Sequence, residues 1–239
     1  MYFFLDYPYL LFVLPTMILA MIASIKVNTT FEKYQKQLSA RRLTGAEAAR
    51  MVLDRNGLQS VPIRITEGKL SDHYDPRNKT IYLSAAVHNS TSTAAIGVAT
   101  HEVGHAIQHA TGYLPLKVRA AIIPVTNIGS RLAVPLVLFG LLLDIFMESP
   151  VGIVMAYVGV ICFSLTAIFQ LVTLPTEFNA SARAMKSLEA DGILTDSELT
   201  GARKVLSAAA MTDVAALAVS LAQLLRLFLL VSGSSRRRN

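Results

Sequence analysis

Apolar residues along this chain collect into four long blocks separated by stretches of mixed polarity. A helix that crosses a bilayer needs about 20 mostly apolar residues. The first block, residues 2–25, meets that length with Asp6 as its only charge. The second covers 128–147, with Arg131 and Asp144 towards its ends, and the third covers 151–174. Only Glu148, Ser149 and Pro150 separate these two, which predicts a tight helical hairpin. The fourth, 211–231, contains Asp213, Gln223 and Arg226 and reads either as a tilted span or as a helix in the interface. Three or four spans follow. The first block reads as a retained anchor, because a cleaved leader opens with positive charge, whereas here Lys26, Lys33, Lys36, Arg41 and Arg42 come after the apolar run.

Between the blocks the pattern shortens. Thr44 with Glu47 three residues on predicts a capping box and a short helix stopping near Gly57. Residues 63–67 alternate as a strand does, 75–79 (Asp-Pro-Arg-Asn-Lys) have turn chemistry, and 80–83 read as a second strand. Ser90, Thr91 and Ser92 offer N-caps for a long helix ending near Gly112. Further on, 177–190 reads as a helix stopped by Gly192, and Thr195 with Glu198 caps another.

Composition agrees with lipid: 53% of residues are hydrophobic and 16% charged, against about 25% charged in an average soluble domain. The net charge of +6 comes without basic runs interleaved with aromatics, so no nucleic-acid partner is expected. Lys and Arg in the connecting segments set orientation. Segment 26–128 holds thirteen, 175–210 holds four and 148–150 none. Both large segments are therefore expected in the cytoplasm, although Arg236, Arg237 and Arg238 oppose this if the fourth block spans. The single cysteine, Cys162, sits in an apolar block, which excludes an internal disulfide and a cysteine metal cluster.

The chemistry is concentrated in His101-Glu102-Val103-Gly104-His105. Residues four apart share a helix face, so the two imidazoles can reach one metal ion. Zn2+ suits such ligands and keeps a position for water. Glu102 is placed to take a proton from that water. The longer pattern His-x-x-x-His-x-x-Gly-x-x-His fails, since Gln108 stands at its glycine and Thr111 at its third histidine. A later carboxylate is therefore expected. Glu148 falls across the membrane from the motif, and Glu189 and Glu198 read as parts of a solvated acidic connection. Glu177, after Pro175 at the mouth of the third span, is the best placed, because two crossings return it to the side of the histidines.

The chain resembles the YugP-like membrane zinc metallopeptidases and, more distantly, the HtpX-like membrane proteases. The resemblance rests on the anchor, the segment 70–79 (Leu-Ser-Asp-His-Tyr-Asp-Pro-Arg-Asn-Lys) with Leu83-Ser84, and the His101–His105 motif with Gln108-His109. It continues through 174–181 (Leu-Pro-Thr-Glu-Phe-Asn-Ala-Ser), 192–195 and 201–206. It implies that Glu177 is the third ligand. Where the family leads one to expect Glu-Phe-Asp-Ala-Ser, this chain has Asn179, which removes a carboxylate expected to support the site.

The expected fold is mainly α: a membrane helical bundle with a small zincin-like α+β cytoplasmic part. Residues 1–25 form the anchor, 26–127 the catalytic part, 128–174 the hairpin, 175–210 helices carrying the third ligand, and 211–239 the last membrane helix with its basic tail. His73, Tyr74, His109 and Asn179 are candidates for contacts to substrate, transition state or ligands, and strand 80–83 for an edge that pairs with an extended substrate. Asp213 and Arg226 are candidates to pair within the bundle. The expected function is a zinc metalloendopeptidase of the plasma membrane acting on peptide or protein segments at the bilayer. The alternative is a non-catalytic scaffold or chaperone-like factor with a structural metal, against which the intact Glu102 argues. No signal for an oligomeric state is present.

Overall fold

A computed structural model describes residues 6–68 and 71–236. Residues 2–5 of the first predicted span, Leu70, and Arg237 and Arg238 of the tail lie outside them. The helices are α1 (Leu14–Gln35, preceded by a π-helical turn at Tyr9–Val13), α2 (Gly45–Arg55), α3 (Ala85–His88), α4 (Thr93–Ala110), α5 (Leu114–Met147), α6 (Pro150–Ala190) and α7 (Asp196–Arg236). The strands are β1 (Ile63–Thr66), β2 (His73–Asp75) and β3 (Thr80–Ser84). Four helices, those that include α1, α5, α6 and α7, are long and apolar enough to cross a membrane. The architecture is thus a helical membrane bundle with a small α+β part.

The chain divides into two units. One comprises residues 1–22, 118–173 and 213–239, the other 23–117 and 174–212. In the first, α5 and α6 pack as the predicted hairpin, turning at Glu148, whose φ is +48°. Their contact is made by small residues. A Cβ on Gly140 would stand 2.5 Å from the Ala156 nitrogen, one on Gly152 2.6 Å from the Asp144 nitrogen, and one on Gly159 2.7 Å from the Val137 nitrogen. Lipid gives helices no hydrophobic drive to associate, so backbones come together where side chains are small. Large apolar side chains such as Phe139, Phe146 and Ile161 face outward. Arg226 is buried, donates to Asp6 at 2.8 Å and lies 5.2 Å from the Tyr9 ring centre. Arg226 thus pairs within the bundle, as the sequence suggested for it, and Asp6 is one of its partners.

In the second unit, the Thr44–Glu47 capping box forms in both directions, and α2 packs on α4. The sheet runs β1-β3-β2, with β1 parallel and β2 antiparallel to β3. β3 is thus the central strand, which overturns the expectation that 80–83 is an edge. The edges are β1 and β2, and β2 arises at His73–Asp75, where no strand was predicted. Ile81 and Leu83 of β3 join Val52, Leu53, Ile96, Val103 and Leu188 in one core. Ser92 is the cap of α4, accepting from the Ala95 nitrogen. Glu198 is buried rather than solvated: it accepts the backbone nitrogens of Ala40 at 2.6 Å and Thr195 at 2.8 Å.

Three predicted boundaries dissolve. α5 begins at Leu114 instead of near residue 128, α6 runs through Pro175, and α7 runs unbroken past Met211. Composition changes at these points because the surroundings change from water to lipid, while backbone geometry does not. Proline inside a long helix is tolerated where neighbours re-satisfy the freed backbone groups.

Candidate metal centre

On α4, His101 and His105 project from one face, one turn apart, with ring centres 4.7 Å apart and planes at 86°. Between them on the chain, Val103 fills the core and Gly104 leaves a gap. A Cβ at Gly104 would collide with the Ala180 carbonyl of α6. Glycine therefore admits α6 at backbone distance, and one turn before Ala180 this helix carries Glu177. The Glu177 Oε2 lies 3.2 Å from His101 Nε2 and 3.3 Å from His105 Nε2. The three side chains keep 11–17% exposure, so the centre is open to small molecules.

The imidazoles are held from behind. His105 Nδ1 lies 3.0 Å from Gln108 Oε1, and the Gln108 amide nitrogen donates to the Thr176 carbonyl and to Asn179 Oδ1. With its amide oriented by two acceptors, Gln108 offers only an acceptor to His105. The Nδ1 proton of His105 is thereby fixed, and Nε2 faces Glu177. His101 Nδ1 lies 3.1 Å from Ser181 Oγ, which orients its Nε2 the same way. Two imidazole nitrogens and a carboxylate oxygen thus converge, an arrangement that demands shared protons or a cation. Burial opposes a proton on His105, yet the Glu177 hydrogen bond, the charges of Glu102 and Glu177 and the Gln108 contact outweigh it, so the ring holds a proton more readily than a free imidazole.

The three groups form a possible ligand set, their donor atoms lying within 4.8 Å of one another. Ligands 2.0–2.1 Å from a tetrahedral Zn2+ stand roughly 3.3 Å apart, the spacing that Glu177 keeps from each imidazole. The residues fit the ion. Glu102 is buried on the adjacent flank of α4.

The other candidates fall into two groups. Tyr74 on β2 places its hydroxyl 2.7 Å from His109 Nδ1, tying the sheet edge to the end of α4. Burial and the Asp75 charge push its phenol above the ordinary value, keeping it neutral. Asn179 accepts from Gln108 at 3.0 Å and from Arg183 Nε at 2.8 Å. His73, by contrast, is exposed, stacks on Tyr82 at 4.9 Å and contacts the Ser71 carbonyl. Gln108 and Ser181 were not singled out as site residues by sequence, although Gln108 lies three residues after His105 on the same helix.

Four helices long and apolar enough to cross a membrane, with two histidines and a glutamate that could hold a metal ion, are the features of a multi-pass membrane protein of the zinc metallopeptidase type. The family described as "Putative neutral zinc metallopeptidase" matches residues 9–232. The "Putative membrane protease YugP" of Bacillus subtilis (strain 168) is 46% identical over 217 residues, covering 91% of this chain and 93% of that protein. The chain belongs to this YugP-like zinc metallopeptidase family. No solved structure matches it.

Proposed function

We propose that this chain is a zinc-dependent endopeptidase whose centre faces the cytoplasm and acts on unfolded or membrane-proximal protein segments. The observation that carries the reading is the convergence of both imidazole Nε2 atoms on one Glu177 oxygen, with Glu102 buried beside them. His101, His105 and Glu177 would hold the ion. Bound Zn2+ supplies a water of lowered pKa and a Lewis acid for the scissile carbonyl. Glu102 accepts the proton of the attacking water and delivers it to the leaving amine. Gln108 and Ser181 keep the two rings turned so that Nε2 stays available. The Tyr74 phenol, neutral and in contact with His109, is the donor we assign to the developing negative charge on the substrate oxygen. β2, the edge next to α4, offers its open side to an extended peptide.

The test is a matched pair of purified full-length variants. Glu102→Gln is expected to retain zinc at wild-type stoichiometry and to lose at least about a hundredfold in casein cleavage. His101→Ala is expected to lose the metal itself. Substantial hydrolysis by the Glu102→Gln protein would refute the assignment of the base.

A further inference from the structure

Away from the metal centre, α1 and α7 enclose a cavity of about 600 Å³. Lys26 and Lys33 of α1 line one wall, and Arg203 and Lys204 of α7 the other, while no carboxylate lines it. Lys26 and Lys33 are seven residues apart and so share a helix face. Among the described residues none of the four cations is ion-paired; Lys33 rests 5.6 Å from the Tyr34 ring. Four like charges around one concavity repel each other unless an anion lies between them. Ser207 adds a hydroxyl.

The place of these residues along the chain narrows the anion. Lys26 follows directly on Ile25, where the first apolar stretch ends, and Met211, half-exposed where the last stretch begins, also lines the cavity. The cavity therefore joins a cationic end to an apolar end at the level where two membrane helices leave the lipid. We propose that it binds an anionic phospholipid, with the phosphate among Lys26, Lys33, Arg203 and Lys204 and the acyl chains running past Met211. Basic pockets between juxtamembrane helices take acidic headgroups through this charge pattern. The site does not depend on the peptidase reading, and a catalytically silent protein would still bind the lipid.

Native mass spectrometry of the full-length protein in detergent provides the test, with phosphatidylglycerol and phosphatidylcholine of matched acyl chains as probes. Phosphatidylglycerol is expected to be retained with at least about tenfold preference. The K26Q/K33Q/R203Q/K204Q variant is expected to lose that preference. An equal reduction of charge elsewhere, R64Q/R77Q/K79Q/K186Q, keeps it, as does the charge-preserving set K26R/K33R/R203K/K204R. If the fourfold glutamine variant fails to fold, the single variants K33Q and R203Q decide, each expected to lower the preference about threefold. Equal retention of the two lipids, or equal losses in the two fourfold glutamine variants, overturns the proposal. Displacement of the lipid by inorganic phosphate at comparable concentration also overturns it, in favour of a free-phosphate site.

Discussion

Gln108 is fully buried between two side chains, receiving the His105 proton and passing its own to Asn179 and the Thr176 carbonyl. Replacing it with leucine keeps much of the volume but strands these partners. Zinc affinity of Gln108→Leu is expected to fall about 10- to 100-fold, measured by competition with a chelating dye. Asn179 sits one step further out, and its oxygen also accepts Arg183. A carboxylate there would pair with Arg183 and polarise the amide behind His105. Asn179→Asp is therefore expected to bind zinc several-fold more tightly in the same titration. The meeting of His101 and His105 was legible from spacing alone, because helical periodicity dictates which side chains share a face. Gln108 was noticed only as the place where the glycine of a longer zinc-binding pattern fails. Its role depends on which carbonyls surround it, and those come from α6, some seventy residues later. The burial of Glu198 was missed for the same reason: its cap on Thr195 is local and was foreseen, but the Ala40 nitrogen it also accepts lies far back in the chain.

Among elements, the contact of α4 with α6 is the one that assembles the centre. The middle positions of the His-Glu-x-x-His motif are not spacers. Val103 belongs to the core and Gly104 faces the Ala180 carbonyl. Gly104→Ala is expected to destabilise the folded protein by about 1–3 kcal/mol, the range for overpacking a tight contact. Chemical denaturation in detergent would measure it, and zinc affinity should fall in parallel as α6 shifts. Helices α2 and α4 were foreseen with their caps because capping chemistry is local. The three-residue β2 was not. Its His-Tyr-Asp sequence is polar, and only pairing with Thr80, Ile81 and Tyr82 makes it a strand. The start of α5 and the continuity of α6 through Pro175 and of α7 past Met211 were missed because hydropathy reports the surrounding medium rather than the backbone.

For the molecule as a whole, the proposed cytoplasmic centre makes a topological prediction, because four crossings would put residues 149 and 239 on the other side of the bilayer. Reporter fusions at residues 149 and 239 are both expected to report the extracytoplasmic side, and a cytoplasmic signal at 239 would show that α7 does not cross. The Asp6–Arg226 pair links the first span to the last. Asp6→Asn is expected to lower stability by roughly 3 kcal/mol, the cost of breaking a buried pair, read as an earlier thermal transition in detergent. α6 carries both the third span and Glu177 on one continuous helix, and an α-helix turns about 100° and rises about 1.5 Å with each residue. One residue inserted between Glu177 and Ala180 would thus swing the acid out of phase with the imidazoles while Ala180 stays against Gly104, whereas the same insertion after Ala190 would leave it in phase. The step from acid to alanine along α6 sets the bearing of the third ligand.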